Sequence, residues 1–164
     1  MSMPESEIAR RSLAIAAALA GADPGEKAET RRMGPTGSAL FWRQVSRLGI
    51  TPAQEAEWRL FTRLVALMTP ASRDNSIHDK SRPLGAALAE SELSEQRFAR
   101  LLASRGAARE VALERAIRML ARKVPGVDVT DLARSILWPD DANRLARAYY
   151  QQLDHSKTEE PKDA

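Results

Sequence analysis

The sequence predicts an all-α protein built as two small helical bundles joined by a polar linker. Three observations carry this. No sustained period-2 run of β-branched or aromatic residues appears anywhere in the 164 residues. Apolar residues recur instead at spacings of three and four, the mark of helices that bury one face. These stripes are bounded by Ser, Thr, Asp, Gly and Pro at the positions where helices start and stop. With 43% apolar and 29% charged residues, the composition is that of a folded protein.

The first helix is expected over about Glu5–Ala20, ending near Gly21, with Ile8, Leu13 and Leu19 on one side. Paired arginines before an apolar stretch could mark a twin-arginine signal. Glu5 and Glu7 lie where such a signal is purely basic, so an ordinary helix is expected. A short helix follows Pro24 and stops at Gly34-Pro35. A third begins near Ser38, places Phe41, Val45 and Leu48 in its stripe and ends at Gly49. "TPAQ" opens the fourth, with Thr51 as N-cap, Pro52 at the first helical position and Gln54 completing a capping box. Its buried face is Trp58, Phe61, Val65 and Met68, and Pro70 stops it.

Residues 71–83, "ASRDNSIHDKSRP", are almost without apolar side chains and read as a loop or mobile linker between halves. The domains are therefore expected as 1–70, the linker 71–83, 84–153, and a charged tail, 154–164, predicted to be disordered. In the second half Ser94 is a candidate N-cap, with Phe98, Leu101 and Leu102 inward. Gly106 separates this helix from Ala107–Lys123. "VPGVDVTDLARSILW" holds a turn and a helix capped by Asp128 or Thr130, broken by Pro139. "DDANRLARAYYQQL" forms the last helix, its acids at the N-terminal end where the helix dipole favours them.

The chemistry of the sequence is narrow. No cysteine is present, so disulfides and thiolate metal sites are excluded, which suits a reducing cytoplasm. His78 and His155 have no ligand spacing, so no metal is expected. "GPTGS" lacks both the lysine and the preceding strand of a phosphate loop. No nucleophile, base and orienting acid fall into a supporting motif, so neither an enzyme, a cofactor nor a small-molecule substrate is expected. No stretch approaches the roughly 20 apolar residues of a membrane span.

What remains is arginine, which outnumbers lysine 20 to 5. Residues 97–123 carry eight basic and two acidic side chains, a net of +6 within a chain whose total is +3. On a helical wheel, Leu113, Ile117 and Leu120 of "REVALERAIRMLARK", with Val124 just after it, form the inner stripe, and Arg115, Arg118 and Arg122 line the outer side with Val111. Arg97 and Arg100 lie away from the Phe98–Leu102 stripe, and Arg31 and Arg32 are adjacent at the end of the second helix. Glu114 can pair with Arg118 at i,i+4. A surplus of planar guanidinium forks on consecutive helices is the footprint of a polyanion. A sequence-specific helix-turn-helix regulator would need base-reading side chains at the start of its recognition helix, where this chain has "GAAREVA". A structural adaptor whose arginines meet acidic protein surfaces is the other alternative.

Four segments, in order, resemble the CasB family, the small subunit of the type I-E CRISPR surveillance complex Cascade. They are "GEKAETRRM", similar to Gly-x-x-Ala-x-x-Arg-Arg; "FWRQV"; "PLGAALAESELSEQRFARLLAS"; and "VPGVDVTDLARSILW" followed by "RAYY". Pro83 stands where the family commonly has serine, and Val129 where it often has an aromatic. The resemblance implies two helical bundles and a non-enzymatic protein. It also implies two copies head to tail, in contact with the backbone subunits on the guide RNA and with the large subunit. The basic surface would help hold target DNA, the displaced strand included. It matches Arg32, with Arg31 beside it, Arg97 and Arg118 to nucleic-acid-binding positions; Arg100, Arg115 and Arg122 come from the wheel alone.

Overall fold

A computed structural model describes residues 3–159. Among them are nine α-helices and one isolated bridge, between His78 and Val127. The helices are α1 (Glu5–Ala20), α2 (Pro24–Arg31), α3 (Ala39–Leu48), α4 (Glu55–Leu67), α5 (Leu84–Glu90), α6 (Glu95–Ala103), α7 (Gly106–Lys123), α8 (Val129–Leu137) and α9 (Ala142–Glu159). The all-α class is borne out.

Helix starts follow the local chemistry. The side chains of Asp23, Ser38, Ser94 and Asp128 accept backbone N–H groups of the first turns of α2, α3, α6 and α8. Gly49 ends α3 in the left-handed conformation, φ 70°. "TPAQ" forms a 3-10 turn before α4, with the Gln54 Oε1 accepting the Thr51 N–H at 3.2 Å.

α4 is the centre of the molecule, packed against α1, α2, α3, α7 and α8. Its Trp58, Phe61, Leu64 and Val65 are fully buried. They meet Ile8, Ile15 and Leu19 of α1, and the same set of buried side chains continues into Leu113, Ile117 and Leu120 of α7 and Leu132 of α8. The expected division into two bundles thus finds no gap in the core. A buried hydroxyl pair, Ser12 with Thr130 at 2.9 Å, joins α1 to α8 across it. On the far side α5 lies against α9, where Phe98 and Tyr149 stack at 3.9 Å and the Tyr149 hydroxyl donates to the Leu93 carbonyl at 2.5 Å.

Two expectations need correction, and a third is refined. Residues 71–83 form a loop, bonded at several points to the rest of the chain. Ile77 is 1% exposed, its carbonyl accepts the Val127 N–H at 3.0 Å, and the Asp79 N–H donates to the Val127 carbonyl at 2.9 Å. Lys27 donates to the Ala71 and Arg73 carbonyls, and Arg73 to those of Asn75, Ser76 and Pro125. One apolar anchor and a set of backbone bonds fix a segment whose composition suggests freedom. Leu13 is 40% exposed, because five residues of helix turn it far from Ile8; Ile15 fills that face instead. The chain is also helical beyond Asp154, to Glu159, and residues 160–164 lie outside the described set. Extending a docked helix by one residue at a time costs far less than nucleating one, so exposed polar residues suffice.

Candidate nucleic-acid interface

α6 and α7 pack side by side and set the arginines. Phe98 and Leu101 point into the core, so Arg97 and Arg100 project to solvent. Leu113, Ala116, Ile117 and Leu120 are buried, so Arg115, Arg118 and Arg122 project likewise. Val124, the last of the expected inner stripe, is half-buried.

Between the two helices lies a groove of about 490 Å³. Arg97 and Arg100 line it from α6 and Arg115 from α7, all three exposed. Its floor is Leu93, Leu101, Ala112, Ala116 and Met119, and no carboxylate among the described residues lines it. Among the described residues, none of these three guanidinium groups has an ion pair or a hydrogen-bond partner. A cation without a local counter-charge, beside two others, favours an anion from outside.

The remaining expected residues fall elsewhere. Arg118 is held by Glu114 at 2.9 Å, the i,i+4 pair foreseen in the sequence. Arg122 is exposed in the last turn of α7, without a partner among the described residues and outside the groove. Arg32 is exposed as the C-cap of α2. Its neighbour Arg31 is half-buried and donates to the Thr69 carbonyl at 3.0 Å, tying α2 to the end of α4. α2 packs on α3 and α4, so these two arginines do not belong to the α6–α7 groove.

The +6 surplus is smaller in space than in sequence. Arg105 meets Asp140 at 3.2 Å and Lys123 meets Glu92 at 2.7 Å. Arg109 is 8% exposed and donates to the carbonyls of Leu101 and Ser135, at 3.1 and 3.0 Å. Burial lowers its pKa, with Arg105 adding to the effect and Asp140 opposing it. The signal for Arg109 was available: it precedes Leu113 by one turn and so shares the inner face. The remote acids left no signal within a local window.

Trp42 is a residue that sequence reasoning placed only in an aromatic-rich helix. It is 39% exposed, its Nε1 donates to the Thr36 carbonyl at 2.7 Å, and the Arg59 guanidinium lies 5.8 Å from its ring. Gly37, at φ 76°, leaves no room for a Cβ against that indole. Among the described residues no group of three or more His, Asp or Glu is placed to hold a metal, and no helix is long and apolar enough to cross a membrane.

Fold and surface together define an all-α protein with a basic, arginine-lined groove. The chain belongs to the CRISPR-associated protein Cse2 family, which it matches over residues 17–151. It is similar to a chain in the crystal structure of E. coli Cascade bound to a PAM-containing dsDNA target. There the TM-score is 0.70 and the identity 22%, over 87% of this chain and 96% of that one. It is also similar to CasB from Thermobifida fusca, with a TM-score of 0.66 and 18% identity, over 93% of this chain and 99% of that one. At these identities the likeness is one of fold. No curated protein sequence matches the chain.

Proposed function

We propose that the protein is a non-catalytic subunit of a Cascade assembly that holds the phosphate backbone of opened target DNA, the displaced strand included, without reading its sequence. The observation that carries this is the α6–α7 groove, where three unpaired arginines converge with no acid among them. Arginines on rigid helices supply phosphate contacts, and with these forks on phosphate no other polar side chain of the groove is placed to read bases, which leaves specificity to guide–target pairing. Arg122, Arg118 and Arg32 extend the positive surface, Arg118 with its charge partly spent on Glu114. The likeness to a chain of E. coli Cascade supports assembly with other Cascade subunits. Two copies head to tail, and contact with backbone and large subunits, are part of the same proposal.

The test is equilibrium binding of the isolated full-length chain to a fluorescein-labelled single-stranded 30-mer across a salt series. Three phosphate contacts on a single strand give a log K against log salt slope of about −2. Substituting Arg97, Arg100 and Arg115 together with alanine should flatten that slope and weaken binding, equally for unrelated sequences. Salt-independent binding, or an unchanged triple variant, would favour an adaptor whose arginines meet acidic protein surfaces.

A further inference from the structure

We propose that the α6–α7 groove admits an unstacked nucleobase between the phosphates its arginines hold, so that the site takes single strands of any sequence in preference to duplex. This rests on the proposed function and deepens it. Arginines that hold phosphate alone need only a convex helical face, because phosphates lie on the outside of a strand. Here the three guanidinium groups stand around a cavity of about 490 Å³ with an apolar floor. That is within the size range of small-molecule sites. Ala112 and Met119 are half-buried on it, and both suit a flat ring. The alanine leaves room above the helix backbone, and the methionine thioether is flexible, polarizable and favourable against aromatic edges. Guanidinium planes on the rim can stack on a base while their N–H groups reach the flanking phosphates.

Among the described residues the lining carries no carboxylate, amide or hydroxyl side chain that could select among base edges, and its three arginines are engaged on the flanking phosphates. Insertion would therefore be indifferent to sequence, as for stacking sites in general single-strand binders. A duplex keeps its bases stacked inside, and extracting one costs unpairing and unstacking that a shallow apolar groove does not return. The same groove thus distinguishes opened from closed DNA without reading either.

The test compares three probes with the full-length chain, matched at each point of a salt series: a 12-mer of thymidine, a 12-mer of the same backbone in which every position is an abasic analogue, and a 12-base-pair duplex. Insertion of one base predicts that the thymidine strand binds about tenfold or more tightly than the abasic strand. The abasic strand and the duplex keep the weaker, salt-sensitive binding of phosphates alone. Ala112→Leu, which fills the groove with an aliphatic side chain and offers no ring to stack on, should bring the thymidine strand down towards the abasic level. If thymidine and abasic strands bind equally and both respond to salt, base insertion is overturned and phosphate holding stands. If neither strand binds, both proposals fall. Should Ala112→Leu not fold, the comparison of strands on the unmodified chain decides alone.

Discussion

Glu114 of α7 meets Arg63 of α4 at 2.9 Å, and its other carboxylate oxygen takes Arg118 of its own helix at the same distance. One carboxylate thus fastens the arginine-bearing helix to the central helix and withdraws charge from one of the arginines expected to face nucleic acid. Burial pushes the Glu114 pKa up, but the hydrogen bonds from Arg63 and Arg118 outweigh it, and the net shift is downward.

A carboxylate with a depressed folded-state pKa contributes stability above its ordinary range, and that stability is lost as pH falls through the folded value. Glu114→Gln should therefore lower stability at neutral pH by about 1 kcal/mol, the scale of a partly exposed pair. In strong acid, where both forms are uncharged, the difference should vanish. Melting temperatures of the two proteins across a pH series check this. A deficit that persists in acid would mean that the glutamine fails through packing rather than charge.

Asp131 behaves in the opposite sense. It is 5% exposed, its Oδ2 accepts the Leu84 N–H at 2.8 Å, and Arg144 is 4.0 Å away. Burial raises its pKa; the Leu84 N–H and Arg144 oppose this, while Asp128 and Asp141 add to it. The folded state therefore holds a proton that the unfolded state releases, and stability falls as pH rises from the ordinary aspartate value through the raised one. Asp131→Asn keeps an oxygen for the Leu84 N–H and has nothing to ionise. Its melting temperature should show a smaller decline over that window than the parent chain. Equal pH slopes would contradict the burial effect.

Gly85 marks the closest approach of α5 to α9. A Cβ built there would lie 2.3 Å from the Leu145 carbonyl oxygen and 2.8 Å from the Tyr149 nitrogen. Both are backbone atoms within a helix and cannot step aside singly. Gly85→Ala should cost about 1–3 kcal/mol by forcing the helices apart, despite the better helix propensity of alanine. Chemical denaturation reads this directly. A stabilised variant would show that the contact is loose.

The parts of this structure governed by neighbouring residues were legible in the sequence. Ser38, Ser94 and Asp128 cap helices because a side-chain oxygen two or three residues from an orphan N–H meets it whatever the rest of the chain does. The inner stripe of α7 and the Glu114–Arg118 pair are likewise properties of one helix. What depended on distant partners was not legible. The neutralisation of Arg105 by Asp140 and of Lys123 by Glu92 joins separate elements. Residues 71–83 read as free because their order comes from Lys27 and from the Val127 backbone. The groove was only half visible: the wheel gave the direction of Arg97, Arg100 and Arg115, but the gap between α6 and α7 is set by packing.

The most direct test separates the two faces of α6 and α7 in the assembled complex, with thermal unfolding and R-loop lifetime measured on one preparation. Leu120→Ala, at a fully buried position, should cost about 2–5 kcal/mol through the cavity it leaves and shorten the R-loop lifetime only by unfolding the subunit. The triple variant Arg97→Ala, Arg100→Ala, Arg115→Ala should melt like the parent chain, because these exposed side chains have no partner among the described residues. It should nevertheless shorten the R-loop lifetime, more so as salt is raised. A triple variant that melts normally and keeps the parental R-loop lifetime would contradict a nucleic-acid role for the groove.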